Sequence, residues 1–343
     1  MANPLKLANL WRILRDVDLT SVRTAARTRF SLVIVSESGT DAIRLRALLS
    51  RGLPAPHPWI ACAAAQDAES LPFKQVFAGV IVSREPDLSP ALHQAAHRIT
   101  EAGAPLLTLV VGDRSSHAAV IRAGERSRLT SVSLDDEAAE RLGAALAESV
   151  GEDRRIAVAA QLPMVRPAVF NRIIDETARA NASFALTTGL AETIPVLSAP
   201  LNLGDMVVLT KNQLMMCYRI ALAAGRDGEP RALMTEIIGV LGGGLLLRQA
   251  ARSLVGLIPI VGVVPKVAVA YAGTQAIGRA MVLWIVDGRQ VTSDLVAKYS
   301  RESLERGRAL AERLTRDPAG PTSITRLHRL RRYLPAIRRR QGS

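Results

Sequence analysis

The stretch SLVIVS at 31–36, continuing as ESGTDAIRL at 37–45, decides the fold. A short apolar run that leaves through a Ser-Gly turn into a helical period is a buried strand handing over to a helix. Four further runs repeat the pattern: PWIACAAA (58–65), FAGVIVS (77–83), PLLTLVVG (105–112) and LTSVSL (129–134). Helical periods fall between them at 40–50, 88–102, 115–124 and 135–149. Strands alternating with helices predict a parallel sheet with flanking helices, so residues 30–150 are expected to form an α/β domain.

The signals on either side are helical. Residues 1–29 place Leu7, Leu10, Trp11, Leu14, Val17 and Val22 at mostly three- and four-residue spacings, as one or two short amphipathic helices would. After Arg155 the periods at 166–192, 205–224, 233–254, 266–286 and 291–316 predict an all-α hydrophobic domain over 151–316, with Asp205 as a natural N-cap after Gly204. DPAGPTS at 317–323 then releases a basic tail, 317–343.

Two domains suit 343 residues. With 48% hydrophobic residues the chain is too apolar for disorder, and a mean hydropathy of +0.16 implies apolar surface that meets lipid or protein. Cys62 and Cys217 are too few for a disulfide framework or a cysteine metal site. The first residues lack the apolar core of a secretory signal, so the expectation is a chain made in the cytoplasm. Net charge is +13, yet only five of the 44 basic residues are lysine. Residues 1–30 hold six basic and two acidic side chains, and 317–343 seven basic and one acidic, so the charge belongs to the ends. That excludes a basic body built to track nucleic acid.

Charge-free runs in the helical domain stop at thirteen residues, short of the roughly 20 a spanning helix needs. Residues 253–278, however, carry only Lys266, which leaves a hairpin or interfacial insertion open. Ala268, Ala272, Ala276 and Ala280 form a small stripe, and Gly239 and Gly243 another, which suits close helix approach in lipid or in an ordinary soluble core.

Catalytic chemistry is sparse. A phosphate-cradling loop after the first strand would need two glycines and then Lys and Ser/Thr; only Gly39 and Thr40 remain, and Glu37 and Asp41 would repel a triphosphate. SREPD (83–87) and GDRSS (112–116) preserve neither the Asp-x-x-Gly nor the guanine-reading motif of a GTPase, and FAGVIVS ends without the phosphoacceptor Asp of a receiver domain. The expectation is a degenerate P-loop/GTPase-like sheet. His93 and His97 have a chelating spacing but no third ligand, and Ser115, Ser116 and His117 read as loop residues. No catalytic residue, cofactor or metal is assigned.

The unusual polar residues lie in the helical domain: Asp205, Lys211, Asn212 and Gln213, within LNLGDMVVLTKNQLMMCYRIALAAG. In an apolar interior such groups must be paired. The plainer alternative is that Asp205 caps a helix and Lys211 reaches solvent. IPVLSAPL at 194–201 and IPIVGVVP at 258–265 echo each other, each before a helix.

The run from about Asn181 to Gly288, with TTGLAETIPVLSAPLNLGDMVVLTKNQ, IIGVLGGGLLLRQAARSLVGLIPIVGVVPKVAVAYAGTQAIG and then Trp284, resembles the hydrophobic helical domain of the YcjF-like family. Elsewhere that domain is joined to Era-type GTPase domains and is regarded as membrane-associated. The resemblance covers about a third of the chain and implies that residues 30–150 occupy the place of a GTPase domain. It carries over no catalytic residue.

The sequence thus predicts a non-enzymatic membrane-associated adaptor or scaffold on the cytoplasmic face. Arg326, Arg329, Arg332, Arg338, Arg339 and Arg340 of the tail would contact anionic lipid. A protein partner or a second copy would complete it. The alternatives are a divergent GTPase or NTPase with an aberrant loop and, less favoured because the chain is only 3% aromatic, a nucleic-acid-binding protein using the tail.

Overall fold

The structure, a computed structural model, describes residues 17–53, 57–71, 76–112, 121–123, 126–191, 203–241 and 263–316, together with Trp11 and Leu14. The chain divides into two compact units. One holds residues 21–172 and 221–227, the other residues 1–20, 173–220 and 228–343.

The first unit is α/β. After helix α1 (Leu19–Ala26), which straddles the boundary, come β1 (Leu32–Ser36), α2 (Thr40–Leu49), β2 (Ile60–Ala64), β3 (Ala78–Ser83), α3 (Pro90–Glu101), β4 (Leu106–Val111), β5 (Ile121–Ala123), β6 (Arg126–Ser131) and α4 (Asp136–Ser149). The sheet order is β2-β1-β3-β4-β6-β5. The first five of these strands are parallel, and β5 pairs with β6 antiparallel. The parallel α/β sheet expected from the sequence is therefore present.

With β1 between β2 and β3, the parallel strands follow the flavodoxin-like doubly wound order, whose switch point lies between β1 and β3. A P-loop architecture does not emerge from that order. The helical period expected over 115–124 gives way at 121–123 to the short β5, because the segment turns back on β6 with Ile121 opposite Arg128.

β1 and β3 are buried at every position, which is why they read as continuous apolar runs. Val33, Val35 and Ile81 from these strands pack with Leu92, Ala95 and Ile99 of α3. Local chemistry starts the helices: Ser89 accepts a hydrogen bond from Leu92 N ahead of Pro90, and Asp135 accepts one from Ala138 N. The unit runs past residue 150 because α5 (Glu152–Gln161) and the turn at Pro163–Val165 complete its core. Arg155 Nε donates to the Ala147 carbonyl at 2.9 Å, and Leu162 and Val165 are fully buried.

The second unit is helical. It contains residues 173–191 of α6 (Arg166–Ala191), 203–220 of α7 (Leu203–Ala223), α8 (Pro230–Val240), α9 (Val263–Asp287) and α10 (Ser293–Arg316). The alanine stripe has a specific role: Ala268, Ala272, Ala276 and Ala280 are all fully buried, packing with Leu304 and Val296 of α10. Gly307 of α10 lies so close to α9 that a Cβ there would sit 2.7 Å from the Ala268 carbonyl oxygen. Gly239 has open space around it and makes no such approach, and Gly243 lies outside the described residues.

α9 is long and apolar enough to cross a membrane over Val264–Asp287, with a mean hydropathy of 1.3 in its most apolar window, half of which is buried within the protein. This weakly favours membrane association, since a soluble core helix passes the same test. α10 carries ion pairs on its outer side, Lys298–Glu302, Arg308–Glu305 and Arg316–Glu312.

Candidate functional site: a switch-point ion pair and an internal polar network

A doubly wound sheet binds ligands beyond the carboxyl ends of its strands at the switch point. Here that place lies after β1 and β3. Ser36 ends β1 and Ser83 ends β3; both are buried. The Ser36 hydroxyl accepts from Ala42 N at 3.1 Å and so ties the first turn of α2 to the strand. The connecting turn is brief: Gly39 adopts φ 77°, a left-handed conformation that suits glycine, and α2 starts at Thr40 without a side-chain cap.

Ser83 Oγ donates to the Glu85 carbonyl at 2.8 Å and accepts from Glu85 N at 3.1 Å, so its hydroxyl is committed to its own turn. Arg84 then reaches across to Asp41 with two hydrogen bonds of 2.7 Å, from Nε and from a terminal nitrogen. On the other side Arg128 donates to the Pro86 carbonyl. The Arg84 hydrogen bonds hold the Asp41 carboxyl below its usual range, outweighing the opposing effect of burial.

At the switch point the carboxylate of Asp41 and the guanidinium of Arg84 neutralise each other. Asp41, where a P-loop presents cation and hydroxyl, is an anion, and the guanidinium of Arg84 is engaged by it. Among the described residues no three His, Cys, Asp or Glu side chains gather to hold a metal. His93 hydrogen-bonds with the Leu88 carbonyl at 3.0 Å, while His97 lies 3.4 Å from Glu101, so the two rings serve separate partners. Ser115, Ser116 and His117 lie outside the described residues. Both cysteines are free, and burial pushes their thiols up, Cys62 to about 11 and Cys217 to about 12.

In the helical unit, polar side chains join three apolar helices. Asn181 of α6 is fully buried; its amide donates to Thr274 Oγ of α9 at 2.9 Å, and its carbonyl oxygen accepts from Asn212 of α7 at 2.8 Å. Gln213 donates to the same Thr274 oxygen at 3.2 Å, and Thr274 donates to the Ala270 carbonyl at 2.8 Å. One hydroxyl thus accepts twice and donates once, which fills its capacity. Nearby, Asp175 accepts from Tyr271 at 3.0 Å, from Arg179 at 2.7 Å and from Gln275 at 3.5 Å.

The structure brings Asn212 and Gln213 into this network. Lys211 is half-buried and makes no ion pair among the described residues. The Asp205 side chain, and the tail arginines Arg326, Arg329, Arg332, Arg338, Arg339 and Arg340, lie outside the described residues. Sequence reasoning missed Asn181, Thr274, Asp175 and Gln275. The available signal was the same as for Asn212: an amide or hydroxyl inside an otherwise apolar helix, as in YAGTQAIG at 271–278. The network cross-links α6, α7 and α9 through side-chain hydrogen bonds.

Set against family models, curated proteins and solved structures, the chain matches none.

Proposed function

We propose that the protein is a non-enzymatic, membrane-associated adaptor of the cytoplasmic face, in which an α/β module without phosphate chemistry is joined to a hydrophobic helical module. The observation that carries the reading is α9, an apolar helix of membrane-spanning length and composition. The resemblance of residues 181–288 to the YcjF-like helical domain adds to it, and the arginines of 326–340 supply the charge that holds a basic segment to anionic lipid at about 1 kcal/mol each. In the α/β module the switch point holds the paired Asp41 and Arg84 in place of the free cation that a phosphate-binding loop presents.

Two arms test this. Full-length protein and a chain ending at Gly320 are pelleted with vesicles containing or lacking anionic lipid. The full chain is expected to pellet on anionic vesicles and the shortened chain to pellet less; equal pelleting removes the tail from the mechanism. Calorimetry with GTP and magnesium is expected to show no binding, and a micromolar dissociation constant would overturn the non-enzymatic reading.

A further inference from the structure

The opposite end of the α/β sheet, where the strands begin, carries a groove of about 900 Å³ open to solvent. Its apolar lining is Phe30, Pro58, Trp59, Val76 and Ala102, at the places where the chain enters the strands, and Phe77 lies beneath it. Phe30 precedes β1 and packs edge-on against Trp59, the residue before β2, with ring centroids 5.2 Å apart. Phe77, which enters β3, packs on Phe30 at 5.8 Å. Phe30, Trp59 and Phe77 therefore converge at one end of the sheet in a chain that is only 3% aromatic.

Two arginines stand over this floor. Arg29 is exposed and makes no ion pair among the described residues; Arg154 of α5 lies with its guanidinium carbon 5.2 Å from the centre of the Phe77 ring. The described lining residues include both guanidinia and no carboxylate. Some exposed arginines of this unit are paired with acids, as in Arg84–Asp41 and Arg51–Asp136. At this groove two guanidinia and apolar side chains coincide without a counter-ion among the described lining residues.

We propose that this groove docks an acidic peptide segment of a partner protein, one that offers carboxylates to Arg29 and Arg154 and an apolar side chain to the floor beside Trp59. Guanidinium–carboxylate pairs give orientation, and burying an apolar side chain against half-buried Trp59 and exposed Pro58 and Ala102 drives binding. Base stacking by a nucleic acid is disfavoured, because Phe30 and Phe77 are each only 7% exposed and Arg154 lies over the Phe77 ring. The proposal rests on the adaptor reading and names the partner's chemistry, but it does not depend on lipid.

The test uses full-length protein without vesicles and a short fluorescent peptide of alternating acidic and large apolar residues, read by anisotropy. Saturable binding is expected, weakened about tenfold by Arg29→Glu and again by Arg154→Glu, the size of one lost charge-assisted hydrogen bond each. Arg313→Glu, an exposed reversal on α10, should leave affinity unchanged, and circular dichroism confirms that each variant is folded. No binding, equal weakening by Arg313→Glu, or equally tight binding of a basic peptide of the same length overturns the proposal. Tighter binding of a single-stranded oligonucleotide that is lost with the same two reversals also overturns it. Failure of vesicle pelleting with retained peptide binding would sink the membrane reading alone.

Discussion

Thr274→Val is the sharpest perturbation of the helical unit, because it removes one hydroxyl and leaves the side-chain shape nearly unchanged. Thr274 Oγ accepts from Asn181 at 2.9 Å and from Gln213 at 3.2 Å. Valine opens no cavity there but strands both donors. Asn181 is fully buried, so its unpaired N–H costs about 1–3 kcal/mol; Gln213 is half-buried, can turn toward water, and adds less. The expected loss is about 2–3 kcal/mol. For a unit of this size each kcal/mol lowers Tm by about 2–4 °C, so the helical transition should fall by about 4–12 °C. The assay is thermal unfolding followed by far-ultraviolet circular dichroism and by tryptophan fluorescence, to which Trp284 of α9 contributes. Adding Asn181→Leu removes the stranded donor, and the double variant should lose less than the sum of the two single ones. A Thr274→Val protein that melts within about 1 °C of the parent would refute the claim that this network is buried and paired.

Three other outcomes follow from close contacts and charge. Gly307→Ala should destabilise by about 1–2 kcal/mol, because overpacking against the Ala268 backbone outweighs the gain in helix propensity. Gly239→Ala, in open space, should be neutral or stabilising by up to about 1 kcal/mol; matching signs in denaturant titrations would contradict the packing. The Asp41 carboxyl is held below 3.8, so its contribution is fully present above that value and is lost as pH falls through the lower folded value. Asp41→Asn should therefore flatten the acid limb of the stability curve while costing no more than about 1 kcal/mol at neutral pH, because Arg84 is largely exposed. Cys62 and Cys217 should react slowly with a thiol reagent at pH 8 in the folded protein and rapidly in denaturant, and fast native labelling of Cys217 would contradict its burial.

Much of the α/β unit was legible because a parallel strand buried on both faces has to be a short apolar run, as LVIVS and AGVIVS are. Helix starts were legible where one residue both caps and is followed by proline, as at Ser89-Pro90. β5 was not, because three residues carry no period and their pairing with β6 arises only once the chain turns back. Strand order was also hidden, since adjacency of β1 to β2 and β3 depends on contacts that no local pattern encodes. In the helical unit Asn212 and Gln213 stood out as polar groups in an apolar helix. Their partners did not, since Asn181 and Thr274 are 31 and 61 residues away from them. The Asp41–Arg84 pair was hidden for the same reason: the acid was noticed as an anomaly in a phosphate loop, but its counter-ion comes from the end of another strand.

Membrane association is the claim on which the account depends most, and fractionation of cells producing the untagged full-length chain tests it most directly. The account predicts that the protein sediments with the membranes and enters the supernatant when detergent is added. Recovery of the folded protein in the soluble fraction without detergent, with none on the membranes, would contradict it.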